Sequence, residues 1–540
     1  MPMAAFRRAA HACTDHVRCA HADGAGLRTP CASLGFQRVD PPLGERHVEP
    51  RARIARDAGP VAGSTRRRMD VAGRSRSGME GAAPMSTLEA LSALACNLRW
   101  QDCDAQVQQR VRWIVADTVA AMVGGSAEPE MRALSAARAV TGRCMMLGIG
   151  TGADAESAAM VNGSAGTFLE LDEGNRFARG HAGVHVIPAA LAACETSGAD
   201  ADTFLVAVLA GYEVCSRIAA HSRLRDGVHP HGTWGTLGAA VAAGRIAGIG
   251  PQPMARLIGI ASSLMTATSK RTMLEGGLVR NVYAGLANRN GLLALQLLQA
   301  GFDSELDGLR SLFGAVLSER FDEAALLASL PQGDPHGPGT QWHVMHNYFK
   351  LHACCRYNHG VLDALDLLAA QQLLPAADEV ERIEVTTYDL AAELSDPAPR
   401  NTLAAKFSVP FAVATRLVHG NSGVRSFGWE AVRDPRVRSL ATRVQLHEDA
   451  AMTRSLPQER PARVVLHLRN GATRTAETSF NRGDEASPYT DSELTFKFTD
   501  LCMRAWPRTH AERVLVATLA LGREVAMADW LRLLRHPPTD

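Results

Sequence analysis

The chain has 540 residues, with 57 Lys and Arg against 56 Asp and Glu, so its formal net charge is +1. This length permits two to four domains and a sizeable core, and the near-neutral balance argues against nucleic acid or an anionic membrane surface as partner. No uncharged apolar run reaches the ~18 residues of a membrane-crossing helix, and the eleven cysteines, none in CxxC spacing, read as reduced thiols of a cytoplasmic protein.

Residues 1–84 are rich in Arg, Pro and Gly, with runs such as RRRMD and GRSRSG and no sustained hydrophobic period. Such a segment cannot bury enough apolar surface to fold alone. It is expected to lie outside the fold, as a disordered extension or one translated only on paper from a start codon set too far upstream. Helical signal begins at MSTLEALSALACNLRW, where Ser86 and Glu89 form a capping box. VQQRVRWIVADTVAAMVGG follows and stops at Gly124 and Gly125. ADTFLVAVLAGYEVCSRIAAHS, GTLGAAVAAGRIAGIG, MARLIGIASSLMTAT and RNGLLALQLLQAGF continue the series. Their small residues predict helices packed closely in an internal core.

From residue 345 to 482 the pattern changes. VERIEVTTYDL and ARVVLHLRNGATRTAETSF alternate as strands do, the second with Asn470-Gly471 as a type I′ hairpin signal. VRSLATRVQLHED reads as a helix end followed by a strand, and AKFSVPFAVATRLVHG as a helix. Helical pattern returns after residue 483. The predicted fold is mainly α: a large helical domain from residues 85–344 and 483–540, with a smaller α+β lid domain, 345–482, inserted. A site is expected in the cleft between them.

Four stretches set polar side chains among small or apolar neighbours. NGSAGTFLELDEGNRFARGHAGVHVIP (162–188) carries Glu170, Asp172, Glu173 and Asn175, then Arg176, Arg179 and His181. Titratable groups of both signs at a helix junction suit proton transfer. GVHPHGTWGTLGAA (227–240) puts His229, His231 and Thr233 ahead of an Ala/Gly helix, whose N-terminus suits a carboxylate. SKRTMLEGGLVRNVYAGLANRNG (269–291) brings Lys270, Arg271, Arg280 and Arg289. The chain has only four lysines, at 270, 350, 406 and 497, which marks lysine as the residue kept where a titratable ammonium is needed. FKLHACCRYNHGVLDAL (349–365) carries Lys350, His352, Arg356 and His359, with Gly360 permitting close backbone approach. HExxH, P-loop and Rossmann patterns are absent from the sequence. Cationic donors, histidines and carboxylates without a cofactor motif point to acid–base chemistry on a small anionic substrate. Arg and Lys clamp carboxylates, one group takes an α-proton, and another protonates a leaving hydroxyl or returns the proton.

The order NGSAGTFLELDEGN, GHAGVHVIPAALA, GYEVCSRIA, HPHGTWGTLGAAVAAGRIAGI, VRNVYAGLANRNGLLALQLLQAGF, KLHACCRYNHGVLDAL and AKFSVPFAVATRLVHG makes residues 86–535 resemble the MmgE/PrpD family. That family includes a dehydratase, a decarboxylase and an epimerase of small polycarboxylates. The resemblance implies a helical domain with an α+β lid, a homodimer, and no metal or organic cofactor. It also implies cleft positions for Glu170, Asp172, Glu173, His181, His229, Thr233, Gly235 and His359, and for Arg280 where the family has lysine. Guanidinium is always protonated, so Arg280 clamps rather than donates a proton, and Lys270 is taken to supply the ammonium. DEGN stands where many members have Asp-Asp-Thr. Phe411 stands where the decarboxylase has tyrosine, which weighs against decarboxylation. The expectation is a hydro-lyase that dehydrates a small di- or tricarboxylate, such as a 2-methylcitrate-like acid. Asp172, Glu173, His181, His229 and His359 share its acid and base roles, and Glu170, Asn175, Thr233, Lys270 and Arg280 bind substrate. Epimerisation, isomerisation or decarboxylation of a related acid, and ligand binding without catalysis, are the alternatives.

Overall fold

Side-chain caps set where the helices begin. α1 (Thr87–Asn97) opens on the expected box: the Ser86 amide donates to Glu89 Oε2 (2.8 Å) and the Glu89 amide to Ser86 Oγ (3.3 Å). Asp104 caps α2 (Ala105–Ser126) and Asp154 caps α3 (Ala155–Phe168). α4 (Ala182–Ser197) ends on Gly198 in the left-handed conformation (φ 73°), and Asp200 caps α5 (Ala201–Ala220). α6 (Trp234–Ile246), α7 (Pro251–Ser263) and α8 (Val282–Gln299) complete the inner set. This computed structural model describes residues 85–535 except 332 and 338, so the expectation for residues 1–84 lies outside the described residues.

Small residues decide how these helices meet. α4 is buried from Ala182 to Cys194 and lies against α2, α3, α5, α6 and α8. A Cβ added at Gly211 would stand 2.5 Å from the Gly238 carbonyl oxygen, and one at Gly285 2.2 Å from that of Met160. Only glycine lets those backbones approach so closely. Pro188 interrupts the hydrogen bonding of α4, and Asn288 of α8 repairs it. Its Nδ2 donates to the Val184 carbonyl (2.9 Å) and its Oδ1 accepts from the Ala189 amide (2.9 Å). α5 is long and apolar enough by composition to cross a membrane, which the sequence reading did not anticipate. Its most apolar window, however, is 89% buried within the protein.

The expected strands form. β1 (Val380–Thr387), β2 (Val444–Glu448), β3 (Ala462–Leu468) and β4 (Thr473–Thr478) make one sheet in the order β2-β1-β3-β4. β2 runs parallel to β1 with Val444 opposite Ile383, while β3 is antiparallel to both its neighbours. Ala462, Val464, Leu466 and Leu468 alternate into the core. α9 (His359–Ala370) packs across β3 and β4 and against α10 (Val409–His419). The β3–β4 turn departs from the expected type I′. Only Gly471 has positive φ (83°), and the Gly471 amide bonds to the Leu468 carbonyl (2.9 Å). Those features belong to a three-residue loop, which needs a left-handed residue only at its end. α11 (Asp491–Cys502) and α12 (Arg508–Leu519) return to pack on α2, and the fold is mainly α as expected.

Candidate active site

The chain leaves α3 through Glu170, which is left-handed at φ 56°. A non-glycine residue there is strained and persists only when its surroundings hold it. Glu170 is buried, ion-paired to Arg280, and has Lys350 Nζ 3.8 Å from its other oxygen. Asp172 lies between Lys350 Nζ (3.4 Å) and His181 Nδ1 (3.0 Å). Burial opposes its ionisation, but His181, Lys350 and Arg280 outweigh that and hold its carboxyl well below the usual range. Among the described residues no cation forms an ion pair with Glu173. The Gly183 amide donates to its Oε1 (2.6 Å), the Tyr212 hydroxyl lies 3.1 Å from its Oε2, and burial pushes it up to about 8. It is therefore a neutral acid at pH 7.

Three of the four lysines gather round this loop. Besides Lys350, Lys406 Nζ donates to the Phe168 carbonyl (2.7 Å), and burial pushes its ammonium down to about 8. Lys497 pairs with Asp117 and donates to the Leu171 carbonyl (2.6 Å). Asp117 in turn accepts from the Glu173 amide (2.9 Å). Lys270, the lysine favoured from sequence, instead bonds Asp226 (3.1 Å) and Glu393 (2.7 Å) at the rim.

Beside the loop opens a cavity of about 440 Å³, enough for a small organic acid. His181, His229 and His231 line the cavity, and His185 is buried against them. The His231 ring meets His181, His185 and His229 edge-on at 5.1, 4.8 and 4.8 Å between centroids. Burial pushes His185 down to about 4 and holds His229 and His231 well below the usual range, so all three are neutral. Among the described residues, no three His, Cys, Asp or Glu side chains are grouped to hold a metal ion. His181 differs from the other three histidines in having a carboxylate beside its ring. Its Nδ1 faces the Glu173 carbonyl (2.8 Å) as well as Asp172, and both oxygens are acceptors. The proton therefore sits on Nδ1, which leaves Nε2 as the acceptor of a ring on the cavity wall. His229 is held differently, with an N–H donor at each ring nitrogen. The His231 amide donates to its Nδ1 (3.1 Å), and Arg280 Nε donates to its Nε2 (3.3 Å).

Of the expected residues, Glu170, His181, His229, Lys270 and Arg280 line the cavity. Asp172 and Glu173 lie behind it and act on His181 and the loop. Asn175 organises the loop, donating to the His343 carbonyl (2.7 Å) and accepting from the Phe177 and Ala178 amides. The Thr233 hydroxyl donates to the Pro230 carbonyl (2.6 Å) and is not on the wall. His359 is also away from the cavity. Arg356 Nη1 meets its Nδ1 (3.1 Å) and the Cys354 carbonyl its Nε2 (3.4 Å), while α9 is drawn tight where Gly360 faces the Arg460 carbonyl and the Ala462 and Asn481 side chains. Phe411 is a core residue packed on Phe427, so its identity does not bear on the wall. The tyrosines there are Tyr348 and Tyr357, joined by His231, Cys355, Arg356 and Arg460; the sequence reading noted His231 and Arg356 but gave neither a role, and it did not select the others. Cys355 is a free thiol that burial pushes up to about 11. His231, Cys355, Arg356 and Tyr357 fall inside stretches already singled out, whereas Arg460 carries no local signal.

Comparison with known proteins agrees with this architecture. The MmgE/PrpD N-terminal domain model matches residues 89–319, and the MmgE/PrpD C-terminal domain model matches residues 352–522. A cis-aconitate decarboxylase of Aspergillus terreus is 24% identical over 474 residues, covering 82% of this chain and 94% of that protein. The cis-aconitate decarboxylase-like protein oryM of Aspergillus oryzae is 25% identical, covering 82% and 97%. The cis-aconitate decarboxylase of Mus musculus is 25% identical, covering 70% and 78%. With both domain models matched in order along most of the described residues, the chain belongs to the MmgE/PrpD family.

Proposed function

We propose that the chain is a cofactor-independent lyase of a small di- or tricarboxylate, working by proton transfer at a carbon beside a carboxylate. The observation that carries this reading is His181, fixed by two oxygen acceptors with Nε2 as its proton-accepting atom, on a wall that also bears arginines. When Nε2 takes a proton, the imidazolium lies against ionised Asp172, which stabilises it. The Arg280 guanidinium on the cavity wall supplies positive charge for a carboxylate, or for the negative charge that develops on it. Family membership and the decarboxylase relatives support a lyase-type reaction on a carboxylate. Among finer readings, loss of CO₂ from an unsaturated tricarboxylate draws support from the relatives' names. Dehydration of a hydroxy acid, the expectation from sequence, draws on the same acceptor and clamps. Proton NMR in D₂O with cis-aconitate, citrate and 2-methylcitrate separates them. New vinyl signals with loss of a carbon mark decarboxylation. New vinyl signals at constant carbon count mark dehydration. Neither turnover nor deuterium uptake on any di- or tricarboxylate tested would remove the lyase reading.

A further inference from the structure

Three buried arginines stand on the cavity wall: Arg280, Arg356 and Arg460, exposed by 2, 3 and 4%. Two are neutralised within the protein. Arg280 pairs with Glu170. Arg356 pairs with Asp484 (2.9 Å) and also donates to the Arg482 carbonyl (2.9 Å). Arg460 differs. Among the described residues no carboxylate forms an ion pair with it, and its Nη1 has no hydrogen-bond partner. Its side chain makes one hydrogen bond, from Nη2 to the Arg176 carbonyl at 3.3 Å. Asp484, whose charge reaches it, is already held by Arg356. A buried guanidinium without a counter-charge is costly, and a fold retains one where something else supplies the anion.

The surroundings of Arg460 fix its position. Its amide donates to the Ser479 carbonyl (3.0 Å), and the following Pro461 carbonyl accepts from Thr387 Oγ1 (2.9 Å), which ties the start of β3 to the sheet. Its guanidinium lies over the Tyr348 ring, 5.3 Å from the centroid, and Arg356 lies over the same ring at 4.4 Å. Presentation from the segment just ahead of β3, over an aromatic platform, holds a fork suited to bidentate carboxylate recognition.

We propose that Arg460 is a specificity-determining residue, binding a ligand carboxylate remote from the reacting carbon and so selecting acids that carry a second or third carboxylate. The proposal rests on reading the cavity as a polycarboxylate site. The test is calorimetric titration of the full chain with propane-1,2,3-tricarboxylate, and with methylsuccinate and glutarate, each of which lacks one of its carboxylates. The wild type is expected to prefer the tricarboxylate at least tenfold over one of the two. Arg460→Gln is expected to lose about 10–100-fold of the tricarboxylate affinity while leaving that dicarboxylate unchanged. Its ligand-free melting temperature should stay level or rise, because an uncompensated charge has gone, whereas a structural arginine would lower it. Arg460→Lys, which keeps the charge but not the fork, should fall between and carries the same comparison if the glutamine variant does not fold. An unchanged preference in the variants overturns the subsite alone. Equal loss for all three acids with a lower melting temperature also overturns it and makes Arg460 structural. A wild type that binds none of the three overturns both the subsite and the polycarboxylate reading.

Discussion

His181 and His359 are both buried and both sit among charged groups, yet their hydrogen bonds give them different prospects. Two acceptors fix the proton of His181 on Nδ1 and leave Nε2 for chemistry, while both nitrogens of His359, which is off the cavity wall, meet protein partners, Arg356 and the Cys354 carbonyl. His181→Gln should therefore cut kcat by ~10²–10⁴ with the fold intact. His359→Gln should keep kcat within a few-fold and lower the melting temperature instead, and steady-state kinetics beside thermal unfolding checks both. Glu173 makes a separate prediction through pH. Its native carboxyl keeps its proton up to about 8, while the unfolded chain releases it near the ordinary 4.5. Between those values the unfolded state holds fewer protons. The stabilising contribution is therefore complete below 4.5 and is lost as pH rises to about 8, by up to about 1.4 kcal/mol per pH unit. Glu173→Gln should flatten that slope in urea titrations from pH 5 to 8, and an unaltered slope would assign it to other groups. The cluster holding these residues was legible in the sequence as mixed charge among small neighbours. Which members face the cavity was not, because spacing along a loop does not report which side chains a fold turns inward. The scarcity of lysine did carry information, but Lys270, chosen for its neighbours in sequence, sits at the rim while Lys350, Lys406 and Lys497 converge from distant segments.

At the scale of elements, α4 carries His181 at its start and His185 one turn on, so anything that shifts α4 shifts the histidine wall. Pro188 would leave α4 with an unmet carbonyl at Val184, and Asn288 meets that carbonyl together with the Ala189 amide. Asn288→Ala leaves both groups buried and unpaired, at about 1–3 kcal/mol each. We expect a loss of about 2–5 kcal/mol by chemical denaturation, with a further loss in kcat as α4 relaxes. A stability change below 1 kcal/mol would mean that α4 carries Pro188 without help. The helices themselves were readable from caps and periodicity, and so were the strands from alternation. The repair of Pro188 was not, since residues 188 and 288 are linked only by the packing of α8 on α4. Nor was the geometry of the β3–β4 turn. The Asn-Gly pair predicts a hairpin correctly, but loop length decides which residue must be left-handed.

Across the whole molecule, the acidic loop is held from both ends of the described chain. Asp117 of α2 accepts from the Glu173 amide, and Lys497 of α11 pairs with Asp117 while donating to the Leu171 carbonyl. Burial pushes Asp117 up and Lys497 down, and the attraction of each for the other opposes both shifts. A pair in such surroundings adds little net stability over an apolar replacement, yet removing one partner strands the other. Lys497→Met should therefore cost about 3–5 kcal/mol, and Asp117→Asn a comparable amount. The double variant should cost clearly less than the sum, since neither charge is then left alone. Catalysis follows a different rule. Neither residue lines the cavity, but the double variant still lacks the Leu171 tether and the charged acceptor for the Glu173 amide. Because the Glu173 carbonyl orients His181, activity should not recover with stability. Urea denaturation and kcat measured on the three variants decide the point. Parallel recovery of both would make the pair a contributor to stability alone, whereas recovery of stability with kcat still depressed identifies it as the brace that aims His181.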